Sequence, residues 1–251
     1  MAKDTYGLVG YPIKLSFSRG YFSEKFEKEN INAEYLNFEI ADISEFPDIV
    51  SKHPNLKGMN VTIPYKEKII PYLDSLDPNA AQIGAVNVIK VIKKEGQSNP
   101  ELIGYNSDMI GFQKSIEPLI NKAIHRKALI LGTGGASKAV AQGLTNLGLE
   151  YKYVSRTKNS DNFTYNELNR DRVDEYTVIV NATPIGASYD PDKCPHIPYQ
   201  YLSDRHLLYD LIYNPAETKF LRLGKEKGTI TKNGAEMLVL QAEAAWKIWN
   251  K

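Results

Sequence analysis

Two side chains stand where proton chemistry could use them: Lys66, which closes NVTIPYK, and Asp108, inside GYNSDMIGF. Pro64 belongs early in a helix, so a helix is expected near 65–83, broken by Pro71 and Pro78, with Lys66 in its first turn. The backbone dipole disfavours an ammonium group there, and burial would disfavour it further. Both effects favour the neutral amine, an available proton acceptor that a nearby carboxylate could hold in place. An equally weighted alternative is that Lys66 reaches solvent while Asp108 stabilises the N-terminus of its own helix.

Other polar groups fall where apolar ones are expected. Asn87 interrupts IGAVNVIKVI, Gln241 lies on the apolar stripe of the final helix, and Thr62 ends the strand that runs into Pro64. Burying an unpaired polar group costs about 1–3 kcal/mol, so each needs a partner. For any one of them, backbone satisfaction is the simpler account. Ser16 and Ser18 in GYPIKLSFS follow a strand; taken alone they are most simply helix N-caps. Together these groups cluster at strand ends and suit a small polyhydroxylated ligand better than a metal or a lipid; no metal site is expected.

The glycine turn LILGTGGA places Gly132, Gly134 and Gly135 between a strand and an amphipathic helix, where a pyrophosphate can rest on backbone N–H groups. The bland alternative for the glycines alone is a strand-to-helix turn that needs positive φ; their place after a strand and before a helix favours the dinucleotide reading. The next strand ends in YVSRTK, with Ser155, Arg156, Thr157 and Lys158 and no carboxylate before Asp161. A cation in place of an acid favours NADP over NAD, because a guanidinium matches a 2′-phosphate bidentately.

Apolar runs of strand length alternate with longer amphipathic segments, which predicts an α/β chain with mainly parallel sheets. Strands are expected near 5–9, 34–39, 57–62, 86–92, 101–105, 127–132, 151–155, 177–181 and 207–211. Helices are expected near 18–30, 43–52, 65–83, 108–123, 135–147 and 234–249. EGQSN at 95–99 should join two antiparallel strands at a sheet edge, and 184–205 should be a loop. The pattern divides into two α/β domains, 1–110, completed by a C-terminal helix at 235–251, and 111–234, which is Rossmann-like. The 251 residues carry a net charge of +1, 42% hydrophobic residues and one cysteine. Those values exclude a disulfide framework and imply neither a nucleic-acid nor a membrane partner, and they point to a cytoplasmic setting.

These segments resemble the shikimate dehydrogenase family through nearly the whole chain. GYPIKLSFS is similar to its substrate serine loop, GMNVTIPYK to its lysine motif, GAVNV to its asparagine strand and GYNSDMIGF to its aspartate motif. GTGGAS and SRT resemble its glycine turn and 2′-phosphate loop, and NATPIG, DLIYNP and NGAEMLVLQA its nicotinamide-side and closing segments. The resemblance implies NADP-dependent interconversion of shikimate and 3-dehydroshikimate, with Lys66 and Asp108 moving the hydroxyl proton. It implies a substrate domain, 1–110, and a cleft between it and the NADP-binding domain, with Ser16, Ser18, Thr62, Asn87, Tyr213 and Gln241 holding substrate. It assigns Gly132, Gly134, Gly135, Ala136, Ser155, Arg156, Thr157, Lys158, Thr183, Leu211 and Gly234 to the cofactor, in a monomer or homodimer. Leu15, Arg19, Ser107, Ser155 and Ala187 depart from the family's usual residues and bear on the serine loop, cofactor affinity and nicotinamide packing. The rival readings are a quinate/shikimate dehydrogenase that prefers NAD, a non-catalytic shikimate- or NADP-binding regulator, and a methylene-tetrahydrofolate dehydrogenase. The paired serines, the missing acid after the second strand and the Lys66–Asp108 pair argue against them.

Overall fold

The apolar run DTYGLVG becomes β1 (Asp4–Gly10), near the centre of the first sheet. It is followed by α1 (Phe17–Lys28), β2 (Ala33–Glu39), α2 (Phe46–Lys52), β3 (Leu56–Val61), β4 (Ser75–Leu76), α3 (Pro78–Ile83), β5 (Val88–Ile92) and β6 (Glu101–Tyr105). Then come α4 (Ser107–Ile116), β7 (Lys127–Leu131), α5 (Gly135–Asn146), β8 (Glu150–Ser155), β9 (Asn162–Thr164) and α6 (Arg170–Glu175). β10 (Val178–Asn181), β11 (Leu207–Asp210), α7 (Lys219–Lys225), β12 (Ile230–Lys232) and α8 (Ala235–Trp249) complete the order. The computed structural model describes residues 2–13, 17–94 and 99–251. Two units result: Met1–Ser107 with Ala242–Lys251, and Asp108–Gln241.

The first unit holds a mixed sheet of order β2-β1-β3-β5-β6-β4. β1 runs parallel to β2 and β3, whereas β5 is antiparallel to both β3 and β6. Both faces are buried, so neighbouring residues on one strand serve different cores. Val88 packs with Tyr6, Phe22 and Trp249, while Ile89 packs with Val9, Phe46 and Met59. The Trp249 indole N–H donates to the Ile89 carbonyl at 3.0 Å, and its ring fills the space above Gly58 that a Cβ would need. In α8 the residues Met237, Gln241, Ala245 and Ile248 are buried, the stripe expected from their spacing.

The second unit holds a six-stranded sheet of order β12-β11-β10-β7-β8-β9, parallel throughout. The chain winds outward from β7 in both directions, the doubly wound arrangement.

The long helix expected at 65–83 is absent. The segment consists of turns, a 3-10 helix at Ile70–Tyr72, β4 and the six-residue α3. Its backbone groups find partners far along the chain: the Lys66 carbonyl accepts from Val86 N–H at 2.7 Å, Asp74 N–H donates to Leu102 and Asp77 N–H to Gly104. Lys66 is therefore not in a helical first turn, and no helix dipole acts on its ammonium group from that position. The helix expected to reach 123 stops at Ile116, where Glu117–Leu119 tightens to a 3-10 turn around Pro118. β5 begins at Val88 rather than 86, and β4 lies outside β6, so the β5–β6 pair is not the sheet edge. The turn residues 95–98 lie outside the described residues.

Candidate active site

The polar groups of the first unit gather at the carboxyl ends of β1 and β3, where the connection from β1 turns toward β2 and the one from β3 turns the other way, toward β4 and β5. Crevices form at such points. Thr62 N–H donates to the Val9 carbonyl at 3.0 Å. Gly10 beneath it has no room for a Cβ, which would run into the Thr62 methyl group. The Lys66–Val86 backbone bond sets the lysine beside the segment that carries Asn87. Asn87 is buried and engaged at both ends of its amide: Nδ2 donates to Ser107 Oγ at 3.0 Å, and Oδ1 accepts from Ser107 N–H at 2.6 Å. It thus ties β5 to the start of α4. Asp108 follows directly, buried in the first turn of that ten-residue helix, where the dipole favours a carboxylate.

Tyr35 and Asn60, which were not singled out in the sequence, link Ser18 to Asn87. The Ser18 hydroxyl bonds to the Tyr35 phenol, which donates to Asn60 Oδ1 at 2.7 Å. Asn60 Nδ2 in turn reaches the Asn87 carbonyl at 3.4 Å. Burial pushes the Tyr35 hydroxyl well above its usual range. Asn60 in GMNV carries the same signal as Asn87, an amide inside an apolar strand. Ser16 lies outside the described residues. A larger hollow of about 720 Å³ in the same unit, floored by Pro47, Tyr72 and Leu102, contains none of the expected site residues.

In the second unit the glycine turn is built as a cradle. Gly132 has φ +99, which an L side chain rarely adopts, and a Cβ there would stand 2.9 Å from the Thr183 methyl group. At Gly134 and Gly135 nothing lies within 4 Å of where a Cβ would stand, so the start of α5 opens onto free space. Gly134 caps the twelve-residue α5. A cavity of about 380 Å³ runs past Gly132, Gly134, Ser155, Arg156, Tyr165 and Thr183. Backbone N–H groups at a helix start, a passage past the carboxyl ends of β7 and β10, and a guanidinium at the end of β8 fit a dinucleotide bearing a 2′-phosphate.

Other residues expected at the cofactor also have partners within the protein. The Ser155 hydroxyl donates to the Thr157 carbonyl at 2.5 Å, so its one proton closes the turn. The Lys158 ammonium donates to the Asn162 carbonyl at 2.9 Å and to both Glu167 oxygens at 2.8 and 2.9 Å. The Lys158 bond, joined by Thr164 N–H, holds the Glu167 carboxyl down at about 2. Thr157, Gly135 and Ala136 lie outside the cavity wall, as do Leu211 and Gly234. The last two are in direct contact: a Cβ at Gly234 would overlap the Leu211 carbonyl. Tyr213 is exposed; Gln241 is buried, its backbone and Cβ packed against Gly111.

Asp210, the first residue of DLIYNP, was given no role of its own in the sequence; it anchors that segment and NATPIG. It accepts from Thr218 Oγ1 at 2.6 Å, Ile212 N–H at 3.0 Å and Asn181 Nδ2 at 3.0 Å. Asn181 Oδ1 then accepts from the Thr183 hydroxyl and N–H at 2.6 and 3.1 Å, fixing Thr183 against Gly132. Burial pushes the Asp210 carboxyl up to about 6, although all three donors pull the other way.

A mixed α/β unit with convergent polar groups and a doubly wound unit with a glycine cradle define a two-unit dinucleotide-dependent oxidoreductase of small molecules. Residues 8–89 match the family model described as the shikimate dehydrogenase substrate binding domain. The NADP(+) shikimate dehydrogenase of Aquifex aeolicus is 38% identical over 98% of this chain and 90% of its own. That of Carboxydothermus hydrogenoformans is 37% identical over 97% and 90%. The shikimate 5-dehydrogenase structure from Thermus thermophilus, in complex with NADP(H) and shikimate, superposes with TM-score 0.83. It is 29% identical and covers 98% of this chain and 93% of that one. The chain belongs to the shikimate dehydrogenase family.

Among the described residues no group of three or more His, Cys, Asp and Glu side chains could hold a metal ion, and no helix is long and apolar enough to cross a membrane.

Proposed function

We propose that this protein oxidises shikimate reversibly to 3-dehydroshikimate with NADP, a step toward chorismate and the aromatic amino acids. The observation that carries this reading is the 2.7 Å bond between Val86 N–H and the Lys66 carbonyl, which sets the lysine beside Asn87 at the strand ends of the first unit. Ser16, Ser18, Thr62 and Asn87 from that unit, with Tyr213 and Gln241, hold the substrate hydroxyls and carboxylate. Lys66 takes the proton of the reacting carbinol, and Asp108 works with it as the acid–base partner. Gly132, Gly134 and Gly135 seat the pyrophosphate, with Ala136 beside them. Arg156, with Thr157, grips the 2′-phosphate, while Ser155 and Lys158 shape that loop. Thr183, Leu211 and Gly234 flank the nicotinamide. Bound NADP supplies the hydride acceptor. The setting is cytoplasmic, with a monomeric or homodimeric enzyme and no nucleic-acid partner.

Reduced-nicotinamide absorbance with shikimate or quinate, crossed with NADP or NAD, should show the shikimate–NADP pair as the fastest. Lys66→Ala should lower turnover by at least about 10² while shikimate affinity changes far less. Equal losses in both would remove Lys66 from the proton step.

A further inference from the structure

We propose that Asn162 is the positioning residue that gives the site its preference for the 2′-phosphorylated cofactor, by clasping the two sides of the turn that presents Arg156. The inference rests on the assignment of NADP and Arg156 above.

Asn162 opens β9, pairs in register with Tyr153 of β8, and is only 3% exposed. Its side chain serves the loop between those strands. Nδ2 donates to Ser155 Oγ at 2.5 Å and to the Thr157 carbonyl at 2.8 Å, one residue before Arg156 and one after it. Oδ1 accepts from Asn159 N–H at 2.7 Å. Its carbonyl accepts from the Lys158 ammonium. One buried residue therefore bonds to positions 155, 157, 158 and 159, and Arg156 is the member left projecting.

Charge points the same way. Lys158 and Glu167 neutralise each other in a braced ion pair at 2.8 Å, and Arg172 Nη1 donates to the Glu167 carbonyl at 2.5 Å. The cation at the cavity wall is Arg156. A guanidinium gains bidentate geometry on a phosphate only when its backbone is already placed, since otherwise the loop must be ordered at the moment of binding. NAD has no 2′-phosphate and makes no use of that placement.

The test measures NADP and NAD binding to the full chain by titration calorimetry. The proteins compared are the unaltered chain, Asn162→Ala, Arg156→Ala and the double variant. Asn162→Ala should weaken NADP about tenfold or more and NAD less than about twofold, and should raise KM for NADP with kcat unchanged. In the Arg156→Ala background, Asn162→Ala should add almost nothing to the NADP loss, because the two act through one contact. Equal weakening of both cofactors, or full additivity in the double variant, would overturn the proposal. If Asn162→Ala does not fold, Asn162→Ser, whose shorter side chain cannot reach both Ser155 and Thr157, is judged by the same criteria. An unaltered chain that binds NADP no better than NAD would instead refute the NADP assignment. A preference lost in Arg156→Ala but kept in Asn162→Ala would refute only the role of Asn162.

Discussion

Replacing Asp210 with Asn should remove a pH dependence from the stability of the second unit. The Asp210 carboxyl sits at about 6 instead of 3.8 because burial penalises its charge more than its three hydrogen bonds favour it. The folded form therefore binds the proton more tightly than the unfolded form. That contribution to stability is complete below about pH 4 and is lost as pH rises through 6. About two pH units at about 1.4 kcal/mol each make it roughly 3 kcal/mol. Asp210→Asn keeps the shape: Oδ1 can accept from Ile212 and Asn181, and Thr218 can turn its hydroxyl to accept from Nδ2. With no group to titrate, the variant should gain about 3 kcal/mol relative to the unaltered protein between pH 4 and 7. Urea unfolding should be followed by circular dichroism, because both tryptophans, Trp246 and Trp249, belong to the first unit. Stability curves for the two proteins that stay parallel within about 0.5 kcal/mol from pH 4 to 7 would refute the reasoning.

Gly132→Ala should reduce NADP affinity at least about tenfold, since the new methyl meets Thr183 at a φ of +99; unchanged affinity in a calorimetric titration would show that the cradle yields. Gly58→Ala drives a methyl into the Trp249 ring and threatens the indole bond to Ile89, so a loss of about 3 kcal/mol with a red-shifted tryptophan spectrum is expected. A loss below about 1 kcal/mol would mean that the helix slides aside freely.

The central strands could be read from the sequence because burial on both faces makes them continuous apolar runs, as in ALIL before the glycine turn and VIVN at β10. The stripe of α8 was legible for the same reason, a period that one packed face enforces. Local pattern failed where distant bonds decide. The stretch after Pro64 reads as a broken helix until Val86, Leu102 and Gly104 are seen to claim its backbone groups. β4, β9 and β12, of two or three residues each, are too short to carry a period. At the site, residue types identified Lys66, Asn87 and Arg156 as unusual. The supporting roles of Asn60, Asn162, Asn181 and Asp210 depend on partners, and a polar letter in a sequence does not name its partner. Ser155 makes the same point: its hydroxyl donates to the Thr157 carbonyl and accepts from Asn162, bonds that its residue type does not announce.

The first unit is not continuous in sequence. Its core includes Ala245, Ile248 and Trp249, which are made only after every residue of the second unit. On the ribosome the parallel sheet around β7 can therefore close while the earlier strands still wait for the aromatic wedge over Gly58. A chain that stopped short of Trp249 would lack the ring that packs over Gly58 and the indole bond to Ile89, leaving the opening segment's core without its lid.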